Sequence, residues 1–194
     1  MTTDNKTEQD VQACTFCSKC KKDALKNTKA IVTYVERPAR KLILLRSKNA
    51  TDFGPYCEEM GCDWIDILND INIIPEKLET SAFVKLPAVL IKEGTSAFAG
   101  GVEVPFDYAG PLPAGGYEII DLPPCTMAYF IMPYENEEDG QAAFCLVWEA
   151  ARNYKPELHG YKFDNDISPH LNFGWGIERG AKLAFPVAAL DKDK

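Results

Sequence analysis

The feature that most constrains the fold of this chain is an internal repeat. A strand-like run broken by proline, a stretch of helical spacing around a tryptophan, and two further strand-like runs occur twice within its 194 residues. In the first copy Ile31, Thr33 and Val35 alternate, Pro38 interrupts, and Lys41 to Leu45 resumes as a run apolar on both faces. Met60, Trp64, Ile67, Leu68 and Ile71 then share one face of a helix expected from about Pro55 to Ile71, with Pro75 beyond its end. Strands are expected over Phe83 to Ile91 and Ser96 to Phe106. In the second copy Tyr117 to Ile120, Pro123-Pro124 and Thr126 to Met132 form the broken strand, and Asn136 offers an N-cap ahead of a helix over Gln141 to Tyr154. Leu171 to Glu178 and Lys182 to Val187 supply the last two strands. The helices align at an offset of 84, which sets Met60 on Phe144 and Trp64 on Trp148.

Two such β-α-β-β units, about residues 30–106 and 117–190, most simply form one antiparallel sheet with both helices on one face. That is an α+β fold with a pseudo-twofold axis. Residues 107–116, dense in Gly and Pro, read as the linker, and a groove between the helices is the expected ligand cleft. Its floor is expected in Asn172-Phe-Gly-Trp-Gly-Ile-Glu178, with Ala99-Gly-Gly-Val-Glu-Val104 as a shorter echo. Phe173 and Trp175 lie two apart and so should share one face, with Asn172, Gly174 and Gly176 on the other.

A hydrophobic fraction of 46% supports a real core, and a formal charge of −8 argues against a surface built to neutralise phosphates. No apolar run approaches a membrane span and no signal-peptide core is visible, so a cytoplasmic protein without direct nucleic-acid or membrane partners is expected. Residues 1–29 form a polar extension with six lysines against four acids, a candidate contact for a protein partner. Within it Cys14, Cys17 and Cys20 have C-x2-C-x2-C spacing, and the flanking lysines favour thiolate. Three ligands are one short of a structural zinc or an iron–sulfur cluster, with Asp23 where a ferredoxin-like run has its fourth cysteine. A free, oxidisable tail is the plainer reading. The total of seven cysteines is odd, so no disulfide framework is expected, and Cys57, Cys62, Cys125 and Cys145 read as small core hydrophobes.

The order of motifs resembles the GyrI-like (DNA gyrase inhibitor-like) effector-binding domains, the ligand-sensing part of some AraC-type and MerR-type regulators. It rests on Glu36-Arg-Pro-Ala-Arg40, the helix with Trp64, Gly101-Val-Glu-Val-Pro105, Leu112-Pro-Ala-Gly-Gly-Tyr117, the helix with Trp148, and Leu183-Ala-Phe-Pro-Val187. The resemblance covers about residues 30 to 190. It implies an aromatic-lined cleft that binds lipophilic, aromatic and cationic compounds through a buried acid. Here Asn172 stands where that acid is expected, with Glu178 or Glu103 as replacements.

The candidate ligand-binding residues are therefore Trp64, Glu103, Tyr129, Phe144, Trp148, Asn172, Phe173, Trp175 and Glu178. Tyr117 and Tyr134 can add hydroxyls. A stand-alone protein that senses or sequesters a small molecule is the leading reading, and no cofactor is expected. The resemblance admits haem, but His159 and His170 are the only histidines and neither has ligand spacing, so haem is not expected. No nucleophile or phosphate-loop signature points to an enzyme. Some relatives hydrolyse reactive small molecules with a cleft glutamate, and Glu178 with Tyr129 is the pair that would do so here. A metal- or redox-responsive regulator built on the N-terminal cysteines is the third class.

Overall fold

In the computed structural model the described residues are Leu25 and 28–190. The strands are β1 (Ile31–Arg37), β2 (Arg40–Arg46), β3 (Ala82–Lys85), β4 (Phe98–Pro105), β5 (Glu118–Leu122), β6 (Cys125–Met132), β7 (Tyr161–Phe163), β8 (His170–Gly176) and β9 (Gly180–Ala189). The helices are α1 (Phe53–Met60), α2 (Trp64–Asn69) and α3 (Gly140–Asn153). All strand pairs are antiparallel, and the order is β1-β6-β9-β8-β3-β4-β2-β5, with β7 on β9.

The two halves meet twice. β3 pairs with β8, Phe83 opposite Asn172. At the other side β1–β2 runs against β5–β6 as one ladder whose register survives the proline breaks: Arg37 faces Cys125 before them and Arg40 faces Leu122 after. Chain continuity from β1 to β2 and from β5 to β6 thus joins the two ends of the strand order, and the sheet curls around its helix-free face.

Strand alternation sorts the core. On one face Ile43, Val102 and Val104 pack with Tyr56, Trp64 and Leu68 of α1 and α2. On that same face of the second half, Ala128, Phe130 and Leu183 pack with Ala143 and Val147 of α3. The helix-free face carries Leu42, Leu44, Val84, Met127, Tyr129 and Phe173, drawn from both halves. Leu42, Ile43 and Leu44 are all fully buried, as a run apolar on both faces requires.

Several local expectations are corrected. The first helix is two: Gly61, at φ 76°, ends α1 with its N–H on the Cys57 carbonyl, and α2 starts at Trp64, which leaves Ile71 66% exposed. Cys57 and Cys62 are not core hydrophobes but a disulfide across this break, with Cα atoms 5.2 Å apart. That bridge also runs against the expectation of reduced thiols throughout. The strand from Phe83 stops at Lys85, because Pro87 precedes a 3-10 turn over Ala88–Leu90. The short strand β7 has no counterpart in the sequence reading. Asn136 leads into a 3-10 turn, Glu137–Asp139, before α3 and makes no backbone cap. No helix among the described residues is long and apolar enough to cross a membrane.

Candidate functional site

Charged and aromatic side chains converge on the helix-free face, and the break in the first long strand assembles the first of them. In an unbroken strand Arg37 and Arg40, three apart, would point to opposite faces. Pro38 has no N–H for the ladder, the strand restarts at Arg40 with its alternation reset, and both guanidinium groups turn to Glu103 on β4. Arg40 Nε donates to Glu103 Oε1 at 2.5 Å, and Arg37 Nη2 donates to the other carboxylate oxygen. The Arg40 fork continues to Ser168 Oγ at 2.9 Å and to the Pro123 carbonyl at 3.2 Å. Arg40 is fully buried and Glu103 only 3% exposed, so each ion depends on the other. Burial alone would favour the neutral guanidine, but the Glu103 carboxylate outweighs it and holds the Arg40 pKa above its usual value.

Beside this group the rings of Tyr129 and Phe173 stack with centroids 6.4 Å apart. The Lys182 ammonium sits over both, 4.8 Å from the Tyr129 centroid and 4.9 Å from that of Phe173, and is ion-paired with Glu79. This is a cation–π seat filled by the protein's own lysine. Leu78 donates its N–H to the Glu103 carbonyl at 2.9 Å, which fixes Glu79 alongside β4.

Tyr129 is 4% exposed, yet its hydroxyl has no hydrogen-bond partner among the described residues; the same holds for the buried Nε of Arg37. Burial is the main cause that pushes the Tyr129 phenol up to about 12, with Arg37, Glu103, Glu79 and Arg40 all within electrostatic reach. It therefore keeps its proton at neutral pH.

Of the residues singled out from sequence, the structure brings together Glu103, Tyr129 and Phe173. They lie on the face away from the helices, not in a groove between them. Trp64 is 2% exposed in the first-half core, edge-on to Tyr56 at 5.8 Å. Phe144, Trp148 and Trp175 form a separate aromatic group at α3, with Trp175 5.1 Å and Trp148 6.3 Å from Phe144. The expectation that Phe173 and Trp175 share a face is corrected. A bulge between Asn172 and Trp175, with Gly174 at φ 67°, turns Trp175 towards α3 while Phe173 stays on the helix-free face. Asn172 is half-buried and accepts the Gly174 N–H at 2.9 Å, so it shapes that bulge.

Glu178 lies exposed in the β8–β9 turn, and the strand expected to reach it ends at Gly176. Glu103 is buried, but both its oxygens are held by arginine. Sequence reasoning missed Arg37, Arg40, Lys182 and Glu79. For the arginines a signal was present in Arg37-Pro-Ala-Arg40, where a break between two basic residues resets the face; for Lys182 and Glu79 the sequence carries none.

Elsewhere an open groove of about 410 Å³ runs between the start of β1 and α3, lined by Ala30, Val32, Leu146 and Tyr154. It holds none of the candidate residues. Cys14, Cys17 and Cys20 lie outside the described residues, and no group of His, Cys, Asp or Glu able to hold a metal is found among those described. His170 bonds Asn165 at 2.7 Å and packs on Phe185 at 5.0 Å, while His159 stacks on Tyr154 at 5.6 Å, so the two histidines serve separate local contacts.

No sequence family and no curated protein sequence matches the chain. Among solved structures it is similar to SAV2435 bound to tetraphenylphosphonium, with 12% identity, a TM-score of 0.49, and coverage of 81% of this chain and 94% of that one. It is similar to the EcmrR C-terminal domain, with 16% identity, a TM-score of 0.42, and coverage of 84% and 99%. It is also similar to an integron cassette protein of Vibrio cholerae, with 14% identity, a TM-score of 0.43, and coverage of 81% and 95%. The first two have GyrI-like effector-binding folds.

Proposed function

We propose that this protein binds a lipophilic, aromatic small molecule on the helix-free face of its sheet, where the two halves meet, and acts by sensing or sequestering it. The observation that carries this reading is the buried Tyr129 hydroxyl, unpartnered among the described residues, beside the Phe173 ring and a paired set of buried charges. Folding does not favour a dry phenol O–H without an acceptor, which costs about 1–3 kcal/mol. A ligand acceptor would recover that cost. Apolar area is at hand along β1, where Ile31 is 51% and Val35 39% exposed on the same face as Tyr129. The hydrolase alternative needs Glu178 beside Tyr129, and the exposed turn position of Glu178 gives it no support.

The test is a thermal-shift panel of aromatic anions, neutral aromatics and aromatic cations on the wild type and on a Tyr129→Leu/Phe173→Ala double variant. At least one class should raise the wild-type Tm, and the double variant should lose that shift. A wild type indifferent to all three classes would overturn the reading.

A further inference from the structure

The site just described carries information about the charge of its ligand. Resting on the proposed binding site, we infer that it selects an anionic or acceptor-bearing aromatic compound, of the aromatic monocarboxylate class, and that Lys182 sets this choice by occupying the place a cationic ligand would take.

Three independent features lead there. Of the unpartnered groups at the site Arg37 Nε–H can only donate and the Tyr129 hydroxyl carries a free donor as well, so both have room for an acceptor. The ion-paired residues of the cluster comprise Arg37, Arg40 and Lys182 against Glu103 and Glu79, one cation more than the carboxylates. A ligand carboxylate would cancel that excess, whereas a cation would add to it across a partly desolvated space. Finally, the aromatic seat of Tyr129 and Phe173 already holds an ammonium at 4.8 and 4.9 Å. A ligand cation has to displace Lys182 and break its pair with Glu79, while an anion can bind with both in place. Lys182 and Glu79 lie at the rim, with side chains 14% and 22% exposed, so the ammonium can turn from the ring faces towards an incoming carboxylate.

The geometry also states what removing Lys182 does. Lys182→Met empties the seat, leaves Glu79 as an unpaired acid beside two aromatic faces, and brings the local count to two cations against two carboxylates. That is a cation site. Lys182→Met with Glu79→Gln leaves the seat empty and restores the excess of one cation, Arg37 and Arg40 against Glu103, so the carboxylate is again preferred.

A matched naphthalene series separates these cases: 2-naphthoate, 2-naphthamide and 2-naphthylmethylammonium, titrated calorimetrically into the full chain. Wild type is expected to bind the carboxylate at least about tenfold more tightly than the ammonium, a difference of about 1.4 kcal/mol. Tyr129→Phe should weaken the carboxylate and the amide together, since both offer an acceptor. Lys182→Met should reverse the order of carboxylate and ammonium, and the double variant should restore the wild-type order. An ammonium preferred by wild type, or an order unchanged in a folded Lys182→Met protein, would overturn the inference while leaving the binding site intact. Binding of none of the three by wild type would instead remove the site on which the inference rests.

Discussion

Ring atoms of Trp64 occupy the space in which a side chain on Gly100 would begin: an added Cβ would stand 2.5 Å from two of them. In the second half Trp148 meets Phe185, with ring centroids 5.9 Å apart, at offsets of 84 and 85 residues from the first pair. The repeated tryptophan thus has two fates. Glycine on β4 lets Trp64 sink to 2% exposure, while phenylalanine on β9 fills the same position and holds Trp148 half-buried. Gly100→Ala should destabilise the fold by about 1–3 kcal/mol through overpacking. Chemical denaturation measures it, and a change within experimental error would show that the indole yields.

Glu103 and Glu178 were equal candidates in the sequence, and their surroundings make opposite forecasts. Glu103→Gln leaves Arg37 and fully buried Arg40 without their counter-charge and should cost about 3–5 kcal/mol. Glu178→Gln, in an exposed turn, should stay within about 0.5 kcal/mol of wild type. Unfolding free energies of the two variants in one buffer check both; equal losses would contradict the assignment.

His170 predicts a pH dependence. Burial, and then the charge of Lys85, push its imidazole from an ordinary 6.5 down to about 4. The folded state therefore stays neutral at pH values where the unfolded chain takes up a proton. The contribution to stability is complete above pH 6.5 and is lost as the pH falls towards 4. His170→Gln should flatten the slope of stability between pH 6.5 and pH 5, above the range in which most carboxylates titrate. Parallel slopes for variant and wild type would refute it.

The Cys57–Cys62 bridge spans a separation of five residues and pins α1 to α2 across Gly61. For so short a loop the chain-entropy model gives about 2 kcal/mol, equivalent to a fall in Tm of several degrees. Reductant and the Cys57→Ser/Cys62→Ser variant should lower Tm by the same amount. A reductant effect that persists in the variant would point to other cysteines.

The sheet was legible because alternation and repetition are local. Ile31, Thr33 and Val35, the proline breaks, and the apolar spacing of α3 each stand within one element's reach of their neighbours. The misread places are those where one residue changes backbone direction. Gly61 divides a helix whose apolar spacing runs on past it, and Gly174 with Asn172 inserts a bulge that sends Phe173 and Trp175 to opposite faces. A periodic pattern does not reveal a break that keeps its residue types in order.

By itself the sequence determined the α+β class and the single antiparallel sheet, because hydrophobic periods of 2 and 3.6 residues are written along the chain. It also marked Glu103, Tyr129 and Phe173 as residues of interest. Only the tertiary structure decided what those residues face. Arg37 and Arg40 reach Glu103 from two other strands, and Lys182 fills the aromatic seat from β9 while Glu79 pairs with it from a loop. Electrostatic partnership depends on distance in space, and the separation of 103 residues between Glu79 and Lys182 hides it from any local reading.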